Sequence, residues 1–453
     1  MQDRNVEFPN RFRMVKVEGT DDIYDVIPAP GEVLNPGTLL NKANLLTDET
    51  AAALGLGLAN PTIDDAFNRT VVPSAGTGTL YVHCKDEAGR PVTNCVVQIG
   101  DVLAVTPASG AAKYFLAPGT HSATIRSPID YGAGVQTVNV NLALGEIAAV
   151  EVTILDTTGG VNEVDITTAA TNLMFSDRVT RADVFAVGAG GSGAVAYWSS
   201  SNTFRGAAAS GGAGGNTKTV KDINIRERFA VTIGSGGTSV EHTSSSSTNG
   251  AGKAGGTTTV KDSGGAVVAS APGGNGGTAV TGTNAGSSMY GAIAVAGANG
   301  GSGSGGATPG GSESETPKIG ISGSDGSNGG DVTSDYGTVG KGGTGQGTTT
   351  RAFGDPNGEL FSSAGGSAAS LITSFNETGY KGAIGAVADG GGNGATLGGK
   401  QSTVKTVTAS GGSRPGCGGG AVAVAMYSSG SLPKTKSGAG ANGLVRFRWE
   451  VSA

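Results

Sequence analysis

Residues 182–193 read ADVFAVGAGGSG, a short apolar strand running into Gly188-Ala189-Gly190-Gly191-Ser192-Gly193. That run fits G-x-G-x-x-G, which can press backbone amides against a pyrophosphate if a helix follows and an acidic residue stands about 20 positions on. Here AVAYWSSSNTFRGAAASGGAGG follows, with no helix cap and no helical apolar stripe. No Asp or Glu falls between Asp183 and Asp222. The pattern is read as chance in a glycine-rich region. Gly301-Ser302-Gly303-Ser304-Gly305 contains G-x-S-x-G but lacks the strand, helix and nearby His that make a nucleophile elbow. Asp325 and Asp331 in GSDGSNGGDV alternate with Gly and Asn, as calcium ligands can, yet the EF-hand register and its closing Glu are missing. Glycoside cleavage needs two carboxylates across a cleft. Glu313/Glu315 and Glu359/Glu377 show no pattern that supports one. His83, His121 and His242 lie too far apart for metal-ligand spacing. No catalytic residue, metal ligand or cofactor is therefore assigned, and the chain is not expected to be an enzyme.

Cys84, Cys95 and Cys417 are too few for a disulfide framework. Cys84 and Cys95 fall on the inward faces of adjacent expected strands, where two buried thiols are the simpler reading than a disulfide. A net charge of −6 supplies no basic face for nucleic acid. Arginines in the glycine-rich half are few and form no RGG repeat, so no nucleic-acid partner is expected. No apolar run approaches the roughly 20 residues of a membrane span, and MQDRNVEFPNRFRM has no signal-peptide apolar region.

The elements around these residues come in distinct stretches. Residues 1–58 open with extended pieces, VEFPNRFRMVKVEG and DIYDVIPAP. They continue with NPGTLLNKANLLTDETAAALGLG, in which Leu39, Leu40, Ala43 and Leu46 fall near helical spacing. Thr47 and Asp48 can cap a second short helix that Gly55 and Gly57 end. Two such helices bury little alone and want a partner or copies of themselves. Residues 59–77 read as a linker. Residues 78–155 alternate as a small β-sandwich does: Leu80, Val82 and Cys84 share one face, and Cys95, Val97 and Ile99 share another. Residues 156–181 are a connector with more β-type sequence, and 182–453 form one glycine-rich domain.

Of 83 glycines, 16 precede position 188 and the remaining 67 fall in 188–443, about one residue in four. Composition alone would favour a flexible linker. Apolar strands interrupt the glycines, however: FAVTIG at 229–234, TTTVKD at 257–262, GAVVASAPGG at 265–274, STVKTVTASGG at 402–412 and GAVAVAMY at 420–427. Matching strands at 183–187 and 444–451 bracket the domain. Collagen is excluded because no strict G-X-Y period holds. The ordered alternative is a block of short polyglycine II helices. These have no internal hydrogen bonds and must satisfy their N–H and C=O groups on neighbours. The expected fold is mainly β, with short helices in the N-terminal segment, a β-sandwich spacer, and a C-terminal domain of β-strands and packed polyglycine II helices. Non-glycine inserts between clusters would form loops, and loops held by a rigid scaffold usually carry function. They hold the candidate binding aromatics: Tyr197, Trp198, Phe204, Tyr290, Tyr336, Phe353, Phe361, Phe375, Tyr380 and Tyr427. Such side chains can stack on a sugar face or anchor a protein contact.

Three resemblances cover most of the chain. Val82, Asp86, Gly89, Pro91 and Val92, then Phe115, Leu116, Pro118 and Gly119, resemble carboxypeptidase-regulatory-like and PEGA-type sandwich modules, which are usually spacers or presentation platforms. Asp183–Gly193, Gly211–Gly215, Phe229–Gly237, Gly252–Val260, Gly273–Gly277 and Gly440–Trp449 resemble the glycine-rich domain of bacteriophage tail fibres and adhesins. Residues 35–56 resemble the attachment segment of fibre or baseplate proteins from phages and prophages of Gram-positive bacteria. Together these imply a receptor-binding fibre or adhesin of a phage tail or phage-tail-like particle. Its N-terminus would attach to a tail or baseplate protein, and its glycine-rich head would bind a bacterial surface glycan or protein. The resemblance further implies a homotrimer at the tail tip of the virion, extracellular after assembly; no membrane insertion is expected, because no apolar run is long enough. A surface-polysaccharide depolymerase and a purely structural fibre or spacer are the alternatives.

Overall fold

Short apolar alternations separated by turns and glycines make this a mainly β chain with many small sheets. The computed structural model describes residues 12–16, 24–28, 77–200, 206–243, 248–282, 293–310, 315–334, 337, 339–372, 380–385, 389–399, 405–427 and 433–451. The helices expected within 35–56 and most of the 59–77 linker lie outside these residues. The two opening extended pieces form a hairpin, Phe12–Lys16 against Tyr24–Pro28.

The chain divides into two compact units: residues 1–82, 113–121 and 140–150 in one, and 83–112, 122–139 and 151–453 in the other. The division runs through the stretch 78–155. A three-stranded sheet lies chiefly in the first unit, with Gly78–Asp86 between Ala111–Leu116 and Ile147–Ile154. A four-stranded sheet lies chiefly in the second, in the order Val102–Val105, Val96–Ile99, Gly119–Arg126, Val135–Leu142. Residues 156–181, read as a connector, supply two strands to the sheets that follow: Glu163–Ile166 and Ala170–Leu173. They also anchor in front. Asp130 is fully buried and accepts hydrogen bonds from the Ser176 amide (2.8 Å), the Ser176 hydroxyl (2.6 Å) and Arg178 Nε (2.6 Å). The Arg178 guanidinium also lies 4.0 Å over the Tyr131 ring and donates to Asp156 at 3.1 Å.

In the second unit, the strand Val179–Val187 pairs antiparallel with the closing strand Leu444–Val451, with Asp183 opposite Arg448 and Val187 opposite Leu444. This is the pairing that the matched alternation at the two ends predicts. Glu163–Ile166 and Thr217–Val220 complete that sheet. A second sheet, Ala170–Leu173, Phe229–Thr232, Thr258–Lys261 and Val267–Ala271, shares its core. Phe175 meets Phe229, Phe447 and Trp449 edge-on there, at ring-centre distances of 6.4, 5.8 and 6.2 Å. This geometry suits the quadrupoles of packed aromatics.

Along residues 188–194 no side chain is large enough to fill a core, and backbone packs on backbone. The amides of Gly188, Gly191 and Ala194 donate to the carbonyls of Asn216, Ala213 and Ser210. Those of Ala189 and Ser192 donate to Gly256 and Lys253, and those of Gly190 and Gly193 to Ala441 and Gly438. Every third amide thus reaches the same neighbour, and one extended segment is held on three sides. A Cβ at Gly193 would run into the Gly420 carbonyl, so a glycine is required at that close approach.

Past the glycine segments the chain forms four stacked sheets. The second layer pairs Val195–Ser200 and Ala395–Gly399 in parallel with Val422–Tyr427, and Thr248–Gly250 adds an antiparallel edge. The third layer is antiparallel: Ala279–Thr281, Gly206–Ala209, Ala368–Ile372 and Tyr380–Ile384. An alanine seam joins these two layers, formed by Ala194, Ala196, Ala207, Ala209, Ala368, Ala421 and Ala423. The alternation Ala-Val-Ala-Val in 421–424 explains it. Alanines face the neighbouring sheet, while Val422, Val424 and Met426 face the first layer of Glu241–His242, Lys434–Lys436 and Thr406–Thr408. The fourth layer, Ile293–Val295, Ala307–Gly310 and Lys318–Ile319, covers Ala208 and Ala369.

Candidate functional site

The parallel strands of the second layer all rise from glycine segments and end together. Ser200 pairs with Tyr427, and Gly399 with Met426, so residues 201–205, 400–404 and 428–432 leave from the same strand ends. The third layer opens toward that end. Ala194 at the foot of one strand bonds to Ser210 at the foot of the other, and the chain returns from 201–205 at Gly206, opposite Leu371. Ile372 and Tyr380, which flank 373–379, pair with each other, and Thr281, just ahead of 283–292, lies opposite Ala207. Ile293 pairs with Gly310, which precedes 311–314, and Thr248, which follows 244–247, pairs with Tyr197. Seven insertions therefore spring from flanking residues at one end of the stacked sheets, the end away from the glycine segments.

The ten candidate aromatics divide by position. Phe204, Tyr290, Tyr336 and Phe375 lie outside the described residues. Tyr427 closes its strand at the insertion-bearing end, opposite Ser200. Trp198 and Tyr380 are half-buried beside the same end. Tyr380 donates its hydroxyl to Thr396 Oγ1 at 2.8 Å, and its ring lies where a Cβ of Gly398 would sit. Burial pushes its phenol above the ordinary tyrosine range. Tyr197 departs from the expected loop position: it is fully buried in a strand, and its ring stacks at 4.6 Å on His242.

Phe353 and Phe361 depart furthest. Residues 350–361 lie against the opposite end of the domain, where both rings are buried with Phe185, Val187 and Leu444. Arg448 stacks 4.0 Å over Phe353, and Arg446 lies 5.3 Å over Phe361. Phe353 adopts φ +55°, an uncommon left-handed conformation for a bulky residue that the surrounding burial and ion pairs hold in place. Ion pairs pin this loop: Arg446 to Asp165 (2.6 Å) and Glu359 (3.0 Å), and Arg448 to Asp355 (2.6 Å). Glu359, weighed as half of a carboxylate pair, is thus held by Arg446.

The two aspartates of the calcium-like stretch also have partners. Asp325 accepts from Arg351 Nε at 3.0 Å and from the Thr350 amide at 3.2 Å. Asp331 binds Lys341 Nζ at 2.9 Å and the Gly342 amide at 2.5 Å. A cation would have to displace a guanidinium and an ammonium. Among the described residues no group of three or more His, Cys, Asp or Glu is placed to hold a metal. A surface cavity of about 270 Å³ is lined by Arg181, Asp183, Lys221, Arg448, Trp449 and Glu450. Its arginines are already paired, Arg181 with Asp222 and Arg448 with Asp183 and Asp355. What the domain offers is a set of described strand ends, flanking seven short insertions in the sequence, that lie at one end of the stacked sheets. Sequence reasoning saw the insertions but not that alanine-rich strands gather their ends. The signal was the alternation in AVAYWSS and GAVAVAMY.

No family model and no curated protein matches the chain. Among solved structures it is similar to the Bacillus anthracis TIE protein, at 11% identity over 44% of this chain and 48% of that one, with a TM-score of 0.18. The chain spans about half the length of that neighbour, and a likeness this distant carries no argument about fold or function.

Proposed function

We propose that this protein is a receptor-binding fibre or adhesin of a bacteriophage tail, prophage or phage-tail-like particle. Residues 1–58 attach it to a tail or baseplate protein, as a homotrimer at the tail tip. The insertion-bearing end of the glycine-rich head contacts a bacterial surface glycan or protein. The observation that carries this reading is the gathering of seven insertions at one end of a backbone-locked scaffold. A recognition protein needs variable segments that can change without disturbing what holds them, and loops on a rigid scaffold meet that need. The three-residue repeat of hydrogen-bond partners along 188–194 supports polyglycine II packing, whose helix has three residues per turn.

The test is binding of labelled full-length protein to a panel of bacterial strains, beside a variant carrying a short Gly/Ser insertion within 428–432. The expected result is adhesion to a subset of strains, lost in the variant, while circular dichroism and thermal midpoint stay unchanged. Absence of binding to every strain, or unchanged binding by the variant and by equivalent insertions at 201–205 and 373–379, overturns the reading.

A further inference from the structure

We propose that Cys84 and Cys95 are a redox-modifiable pair, which closes into an intramolecular disulfide when the folded protein meets an oxidising environment. Both side chains are fully buried and carry free thiols. Cys84 lies in the strand Gly78–Asp86, and Cys95 immediately precedes Val96–Ile99. The backbone holds them as neighbours through Val92. Its amide donates to the Cys84 carbonyl at 2.9 Å, and its carbonyl faces the Cys95 thiol at 3.8 Å. Thr106 closes the arrangement, accepting from the Cys95 amide at 2.9 Å and donating to the Val92 carbonyl at 2.8 Å. A single buried cysteine packs as a small apolar residue. Two held as neighbours on either side of Val92 can form a disulfide once the sulfurs meet with the geometry that bond requires.

The oxidant is a low-molecular-weight disulfide such as oxidised glutathione. One protein thiol loses its proton and attacks that disulfide, forming a mixed disulfide and expelling one glutathione thiolate. The second loses its proton and attacks the protein sulfur, forming the Cys84–Cys95 bond and expelling the other thiolate. The protein sulfurs lose two electrons, the glutathione disulfide gains two, and the two released protons end on the glutathione thiols. The Cys84 side chain, and then burial, hold the Cys95 thiol well above the ordinary cysteine range. Attack in the closed fold is therefore slow. The way in is the turn that joins the two positions, whose residues 87–91 are all exposed.

Cys417 is the internal control. It is buried in a glycine segment, burial pushes its thiol up to about 11, and among the described residues no cysteine lies against it. Folded full-length protein is incubated at length with oxidised glutathione in buffer without denaturant, quenched with acid, and unfolded with an alkylating agent for intact and peptide mass analysis. The expected product carries one alkyl group, on Cys417, has lost two hydrogens, and links the Cys84 peptide to the Cys95 peptide. Cys84→Ser and Cys95→Ser should each leave two alkylated cysteines or a glutathione adduct, never an internal bridge. Three alkylated cysteines in the wild-type protein, a lasting glutathione adduct without the bridge, or a bridge that involves Cys417 would each overturn the proposal.

Discussion

An added Cβ at Gly191 would run into the carbonyl of Asn275, and one at Gly419 into that of Gly438. Both obstacles are backbone, held by hydrogen bonds of their own, so neither can swing aside as a flexible side chain would. Gly191→Ala is therefore expected to destabilise the protein by roughly 1–3 kcal/mol, as overpacking does. In an unstrained site the same change would stabilise by about 0.4–1 kcal/mol, through the unfolded chain. Gly134→Ala is the matched control. The nearest obstacle there is the Ser127 hydroxyl at 3.4 Å, and the expected change lies within about 0.5 kcal/mol. Urea unfolding of the two variants compares them directly. Carboxylates respond at the same scale. Burial opposes the charge of Asp325, but hydrogen bonds from Thr349 and Arg351, the Arg351 charge and the Thr350 amide outweigh it, so its carboxyl titrates below the usual range. A depressed folded value adds stability that is fully present above the unfolded value near 3.9 and fades as the pH falls through the folded one. Asp325→Asn should thus lower the thermal midpoint at pH 7, and its gap from the wild type should narrow below about pH 4. A gap that widens in acid would reverse the assigned sign.

Two elements brace β-sheets of the second unit. At Asp130 the polar cluster leaves a guanidinium and a serine hydroxyl without their main acceptor if the carboxylate is removed. Asp130→Ala is expected to cost about 3–5 kcal/mol, the usual penalty for breaking a buried pair from one side, measured as a loss of urea midpoint at constant slope. The loop 350–361 is the second case. Phe353→Ala and Phe361→Ala should each destabilise by about 3–5 kcal/mol while the cell binding proposed above survives at 25 °C, because both rings lie at the end away from the insertions. Loss of binding with unchanged stability would instead return them to the contact surface. Sequence alone could not make that distinction. An aromatic within TTTRAFGDPNGELFSS looks like a polar-loop anchor, and what buries it, Arg446 and Arg448 with Phe185, is distant in the chain. The pairing of 179–187 with 444–451 was legible because both strands alternate and the glycines lie between them. The alanine seam was not, since an alanine in a glycine-rich stretch carries almost no hydrophobic signal until two sheets approach across it.

At the scale of the glycine-rich domain, cohesion comes from the direction of the amides rather than from apolar volume. Segment 188–194 donates to three neighbours in rotation, and residues 212–216 do likewise toward Gly419, Asn275, Ser302, Gly416 and Pro272. In a sheet, one edge can fray while the rest of the ladder holds. Here, freeing one segment breaks bonds on three sides and exposes carbonyls on each, and a buried backbone group left without a partner costs about as much as a lost hydrogen bond. Local opening should therefore be as expensive as global unfolding. Native-state hydrogen exchange of the full chain tests this: amides of 188–194, 212–216 and 418–421 should share one protection free energy, equal to the global value from denaturant unfolding. An insertion within 428–432 should leave that value in place, because its described neighbours, Tyr427 and Lys434–Lys436, belong to β-strands and not to the glycine segments. Protection that falls off segment by segment would mean that the glycine segments open independently. The domain would then be a row of loosely tied loops instead of a single rigid support for its tip.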